Sequence, residues 1–130
     1  MKTFHYLFGI LLYLPFVSYS QTDSTQPQKK PLIFTFVEQN PEYPGGDESL
    51  MKFIRLNSKF PIDKTYKGRK VLIRFVVEPD GSVNEVTVTR SINPELDAEA
   101  IRLAKLLWFV PGKQQGKPVR VYFNLPVTFL

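Results

Sequence analysis

The 130-residue chain contains no cysteine and a single histidine, His5. Without cysteine there is no disulfide framework and no lipid joined through a thiol, so a folded domain must stand on packing alone. His5 lies in an N-terminal segment that reads as a removable leader. The remainder therefore lacks the residues for a Ser-His-Asp or Cys-His nucleophile and for a usual zinc site. Carboxylates are the remaining catalytic option, and they fall in two groups: Glu42, Asp47 and Glu48, then Glu95, Asp97 and Glu99. Each group sits at the start of a predicted helix, where acids complement the helix dipole. The expectation is a chain with no catalytic residue, metal or cofactor. A carboxylate-dependent hydrolase using Glu99 is the contrary reading.

Long apolar runs are also missing. Leu7 to Val17 is shorter than the ~20 residues a spanning helix needs, and Pro15 interrupts it. Lys2 ahead of this run and Ser18-Tyr19-Ser20 behind it give the pattern of a secretory signal over residues 1–20, with Gln21 as the new N-terminus. An uncleaved anchor is the alternative. Residues 21–31 hold no apolar side chain other than proline and read as a disordered linker. The folded domain is then 32–130.

Phosphate-binding glycine patterns are absent. Gly112 and Gly116 are one residue too close for a P-loop, and Pro118 stands where a hydroxyl is required. The net charge of +5, or +4 once Lys2 is cleaved away, suits an acidic partner but decides nothing.

What is present alternates with two periods. Leu32 to Glu38 has strand composition and ends at Asn40-Pro41. Gly46, as N-cap, opens a helix with Leu50, Met51, Phe53, Ile54 and Asn57 on its inward face. Val71, Ile73, Phe75 and Val77 mark a central strand apolar on both faces at its far end. Pro79-Asp80-Gly81 turns it into a partner strand, Val83 to Arg90, with Val86 and Val88 facing the core. A second helix is expected from Asp97, with Ala100, Ile101, Ala104, Leu107 and Trp108 as its buried stripe and Pro111-Gly112 as its stop.

The closing strand then places Val119, Val121, Phe123, Leu125, Val127 and Phe129 on one face. Pro126 lies inside it, and a central strand could not spare that N–H, so this is expected to be an edge strand. The order is β-α-β-β-α-β. RNA-recognition modules share that order, but Val71 to Val77 offers only Phe75 for base stacking, and nucleic acid is not expected as a partner.

The helix ending in Leu107-Trp108, the basic turn Lys113 to Lys117, the alternating strand to Leu130 and the preceding Pro79-Asp80-Gly81 hairpin resemble the TonB C-terminal domain family over about Pro41 to Leu130. The resemblance implies an α+β fold: a two-layer sandwich with a mostly antiparallel sheet and two helices on one face. It also implies an exported, periplasmic protein-binding module. In such domains the final strand receives an extended segment of an outer-membrane transporter, the TonB box, by strand addition. Carried over, the partner-binding residues are Val119, Arg120, Val121, Tyr122, Phe123, Asn124 and Leu125, with Phe60-Pro61 matching the family's aromatic–proline pair. Backbone groups of Arg120, Tyr122 and Asn124 would make the bonds.

Two departures qualify the likeness. The stretch from Pro61 to Val71 is shorter than usual in the family. Residues 21–31 also reach only about 35–40 Å at full extension, too short for the long spacer that lets a full transducer cross an envelope compartment. Contact with an inner-membrane motor complex, with cell wall, or with a second copy of the chain stays open. The competing reading is an envelope structural module, with Arg74, Arg90, Arg120, Lys113 and Lys117 on an anionic polymer and no transport coupling.

Overall fold

The computed structural model describes Pro15, Ser18 and residues 31–130 apart from 61–63, 67 and 130. The rest of the expected signal segment, nearly all of the linker, and Pro61 lie outside the described residues. Chain order is β1 (Ile33–Phe34), α1 (Gly46–Asn57), a 3-10 turn (Lys64–Tyr66), β2 (Lys70–Val77), β3 (Val83–Arg90), α2 (Pro94–Lys105), β4 (Lys113–Gln114), β5 (Lys117–Pro118) and β6 (Arg120–Thr128). Four strands form one sheet in the order β1-β6-β2-β3, parallel only between β1 and β6, while β4 and β5 make a separate small hairpin. This is the α+β architecture that the resemblance implied, in the β-α-β-β-α-β order read from the residues, with the β4–β5 hairpin added.

Period-two alternation decides which side of the sheet carries the core. Val71, Ile73, Phe75 and Val77 of β2 and Val121, Leu125 and Val127 of β6 are buried. All of these except Val121 meet Leu50 and Ile54 of α1 and Leu96, Ala100, Leu103 and Ala104 of α2 in one cluster, joined by Leu107, Phe109 and Phe129. Val86 and Val88 of β3 pack against it, as expected. Val76 points the other way yet is also fully buried, flanked in the sheet by Tyr122 and Asn84.

The ends of α2 depart from expectation. The helix starts at Pro94 rather than Asp97, because the Asn93 side chain accepts the Leu96 N–H at 2.8 Å and Pro94 fits the first helical position. Asp97 instead holds the Ile92 N–H and the Ser91 hydroxyl. At the other end the helix stops at Lys105, ahead of Pro111-Gly112. Beyond it Leu107 is buried, Trp108 is 60% exposed and Phe109 is buried. Trp108 is therefore not the aromatic delivered to the core. The Phe109 N–H binds the Gly81 carbonyl at 2.9 Å, Ser82 and Trp108 form a bridge, and this extended pairing replaces helical spacing. Phe109 centres an aromatic cluster, with ring centroids 4.8 Å from Phe123, 5.6 Å from Phe75 and 5.8 Å from Tyr43. Gly81 serves twice. Its φ of 86° suits the hairpin turn, and a Cβ there would lie 2.1 Å from the Phe109 carbonyl oxygen.

Glu99 does not simply charge a helix end. It is buried and takes both the Arg102 guanidinium and the Lys59 N–H, while Arg102 also donates to the Asn57 carbonyl at 2.7 Å. These bonds pin the C-terminus of α1 to α2. The Arg102 hydrogen bond, then the Lys59 amide, hold the Glu99 carboxyl below its ordinary value against the opposing effect of burial. Its contribution to stability is therefore full above the ordinary glutamate range and drains away as pH falls through the lowered folded value. Glu99→Gln should cost about 1–2 kcal/mol near neutral pH, and urea titrations should show that difference closing in acid. A gap independent of pH would contradict the assignment. A second check uses the aromatic pair: Phe109→Ala should cost about 3–5 kcal/mol, whereas Trp108→Ala should stay within about 1 kcal/mol. Equal costs would return Trp108 to the core.

Candidate functional site

The orientation of the β6 backbone follows from its neighbours. The Thr87 and Thr89 hydroxyls on β3 donate to the carbonyls of Arg74 and Leu72 at 3.3 and 3.1 Å, so those carbonyls point toward β3 and away from β6. Asn124 stands opposite Arg74 and Pro126 opposite Leu72. In an antiparallel ladder they must then be non-hydrogen-bonded pairs, with their own backbone groups turned outward. Alternation gives Arg120, Tyr122 and Thr128 the same outward orientation. The ring nitrogen of Pro126 thus falls on the outer side, and the β2 ladder loses nothing to it.

β1 takes part of this edge. It runs parallel to β6 with Ile33 opposite Arg120 and Phe34 opposite Val121. In that register the N–H and C=O of Phe34 lie between the outward groups of Arg120 and Tyr122. The expectation that the whole closing strand forms the sheet edge is corrected here, since β1 is outermost at one end. Only the Tyr122 carbonyl, both groups of Asn124, the Pro126 carbonyl and both groups of Thr128 face no neighbouring strand among the described residues. β1 is also shorter than the predicted strand Leu32 to Glu38. The Gln39 N–H and C=O are bonded to Lys113, and the Glu38 N–H to Gln114 Oε1, so the chain must double back at Thr35–Phe36.

Side chains on this strand divide by parity. Val121 and Leu125 are buried, and Phe123 stacks on Phe75 with centroids 5.4 Å apart. These residues anchor the strand from its core face. Tyr122, half-buried, and Asn124, exposed, stand on the opposite face. The Arg74 guanidinium lies 4.4 Å from the Tyr122 ring centre, a cation–π contact that holds the ring over the sheet. Arg120 is occupied by Glu78 through contacts of 2.9–3.2 Å, by Glu85 at 3.5 Å and by the Pro31 carbonyl at 3.2 Å. Glu78 is the main cause that raises its pKa above the usual arginine value. Its side chain ties the β2–β3 hairpin to the chain entering β1 and is not free for a ligand.

The structure thus gathers Arg120 to Leu125 along one strand; Val119, expected as its first residue, lies just ahead of it, where its N–H is bonded to the Gly112 carbonyl at 3.0 Å and not into the ladder with β2. Phe60 stands apart from it, 37% exposed, beside Lys59 on the helix layer. Pro126 and Thr128 continue the open edge beyond the residues singled out from the sequence. The signal for them was the same alternation, carried two steps further. Among the described residues no three His, Cys, Asp or Glu side chains converge as metal ligands, and no helix is long and apolar enough to cross a membrane.

The family model for the Gram-negative bacterial TonB protein C-terminal domain matches residues 62–130. This chain belongs to the TonB C-terminal domain family. The match takes in β2, β3, α2 and the strands after it, and leaves β1 and α1 outside. Membership places the domain among envelope-associated, periplasmic interaction modules tied to energy-coupled transport through outer-membrane transporters. Neither the curated proteins nor the solved structures gave a match.

Proposed function

We propose that this TonB-family domain binds an extended peptide segment of an outer-membrane transporter by adding it as a strand along β6, from Tyr122 toward Thr128. The observation that carries this reading is the outer side of β6 beyond β1, which pairs with no strand among the described residues and where backbone donors and acceptors recur every second residue beside the ladder to β2. Each bond contributes roughly 0.5–1.5 kcal/mol net, and association costs offset much of the sum. Binding should be micromolar and reversible, as a coupling that must release requires. Tyr122 and Asn124 face the open side of the sheet, so their side chains would meet those of the incoming segment, while Phe123 and Leu125 hold the strand from the core and Val119 and Val121 are assigned a supporting place at its start. Phe60 and Pro61 are assigned an accessory contact. The chain is exported by a cleaved signal over residues 1–20 and acts in the periplasm as a receptor-facing module.

Asn124→Pro separates the two flanks of β6. It removes an outward N–H and crowds the open side but leaves the β2 ladder intact, as Pro126 already does. Calorimetry with a synthetic TonB-box peptide should show at least tenfold weaker binding, with an unchanged circular dichroism spectrum. Undiminished affinity in the folded variant would rule out strand addition at this edge.

A further inference from the structure

We propose that β1 acts as a stop at one end of the β6 edge, confining the incoming strand to the stretch from Tyr122 to Thr128 in a single register. This inference rests on the strand-addition reading and goes beyond it, to the length and register of the partner. Three observations combine. β1 already engages the outward groups at Arg120 and Tyr122 through the Ile33–Arg120 and Phe34–Val121 pairing. It is held in place from both ends, by the Arg120 guanidinium on the Pro31 carbonyl ahead of it and by the bonds of Glu38 and Gln39 to Gln114 and Lys113 behind it. At its other end the β6 strand itself stops at Thr128. The open side is therefore bounded at both ends.

A strand laid into that gap can pair over about seven residues, at ~3.4 Å per residue. Sliding by one residue would turn its inward side chains to the wrong face, and sliding by two would drive its leading end into Phe34. Pro126 adds a second constraint, because a carbonyl opposite it finds no donor. A partner that fits is thus a short extended segment in one register rather than a long strand free to creep along the edge. β1 supplies the selectivity although it lies outside the part of the chain that matches the family.

Calorimetry with synthetic TonB-box peptides lengthened stepwise at both ends tests the idea on the unmodified protein and on Phe34→Pro, which removes the N–H facing Arg120. On the unmodified protein, affinity should rise until about seven residues can pair and then change less than twofold with further length. On Phe34→Pro, extension by two residues should tighten binding about tenfold, as freed groups at Arg120 and Tyr122 accept the longer strand. Phe34→Gly, which weakens β1 without a ring, should follow the same trend. Affinity that keeps climbing with length on the unmodified protein overturns the stop while leaving strand addition standing. So does a length profile that neither variant changes. Peptides that bind at no length overturn strand addition and the stop together.

Discussion

The antiparallel ladder between β2 and β6 is the constraint on which the rest of this domain depends. It runs without a register shift from Lys70 opposite Thr128 to Val77 opposite Val121. That pairing commits every odd-numbered residue of β6 to the helix layer and every even-numbered one to the open face. It also decides which backbone groups of β6 remain for something else. A slip of one residue would bury Asn124 and expose Leu125, and would turn Pro126 toward β2, where its missing N–H would break the ladder. Core packing and edge chemistry are thus set by the same register. Phe75 and Phe123 lie side by side in it, with Phe109 closing over both.

Much of this was legible because alternation is local. The residues of β2, β3 and β6, the Pro79-Asp80-Gly81 turn and Leu50, Phe53 and Ile54 of α1 follow from spacing within one element, whereas Met51 and Asn57, expected on the same inward face, are exposed. The departures share a different cause, in that each depends on a contact distant in sequence. Trp108 continues the helical stripe of α2 on paper, but pairing of this segment with the β2–β3 turn imposes period two and puts Phe109 inside instead. Leu32 to Glu38 has the chemistry of a longer strand, and the pinning of Gln39 on Lys113 cuts it to two residues. Glu99 looked like a dipole-complementing acid until Arg102 and the backbone of Lys59 closed around it. The early start of α2 is the exception, since Asn93-Pro94 is a local capping signal.

Charge divides along similar lines. Arg102 and Arg120, each facing a carboxylate, are structural ties between elements, one joining α1 to α2 and the other joining the hairpin to β1. Arg120 was a candidate for partner contact, and its guanidinium now accounts for how β1 is held at the edge. Arg74 keeps its place over Tyr122 on the open face. On the side of the sheet away from the helices, Arg74 and Tyr122 are thus held in place, with Val76 buried between the strands. This suits a surface on which an added strand must find its neighbours already in position.

Amide hydrogen exchange resolved by residue tests the central claim most directly. In the free protein the N–H groups of Phe123, Leu125 and Val127, bonded into the β2 ladder, should exchange slowly, while those of Asn124 and Thr128 exchange fast. Adding a TonB-box peptide should slow Asn124 and Thr128 selectively. Uniformly slow exchange along β6 in the free protein, or no change at Asn124 when a peptide binds, would contradict an open edge completed by a partner strand.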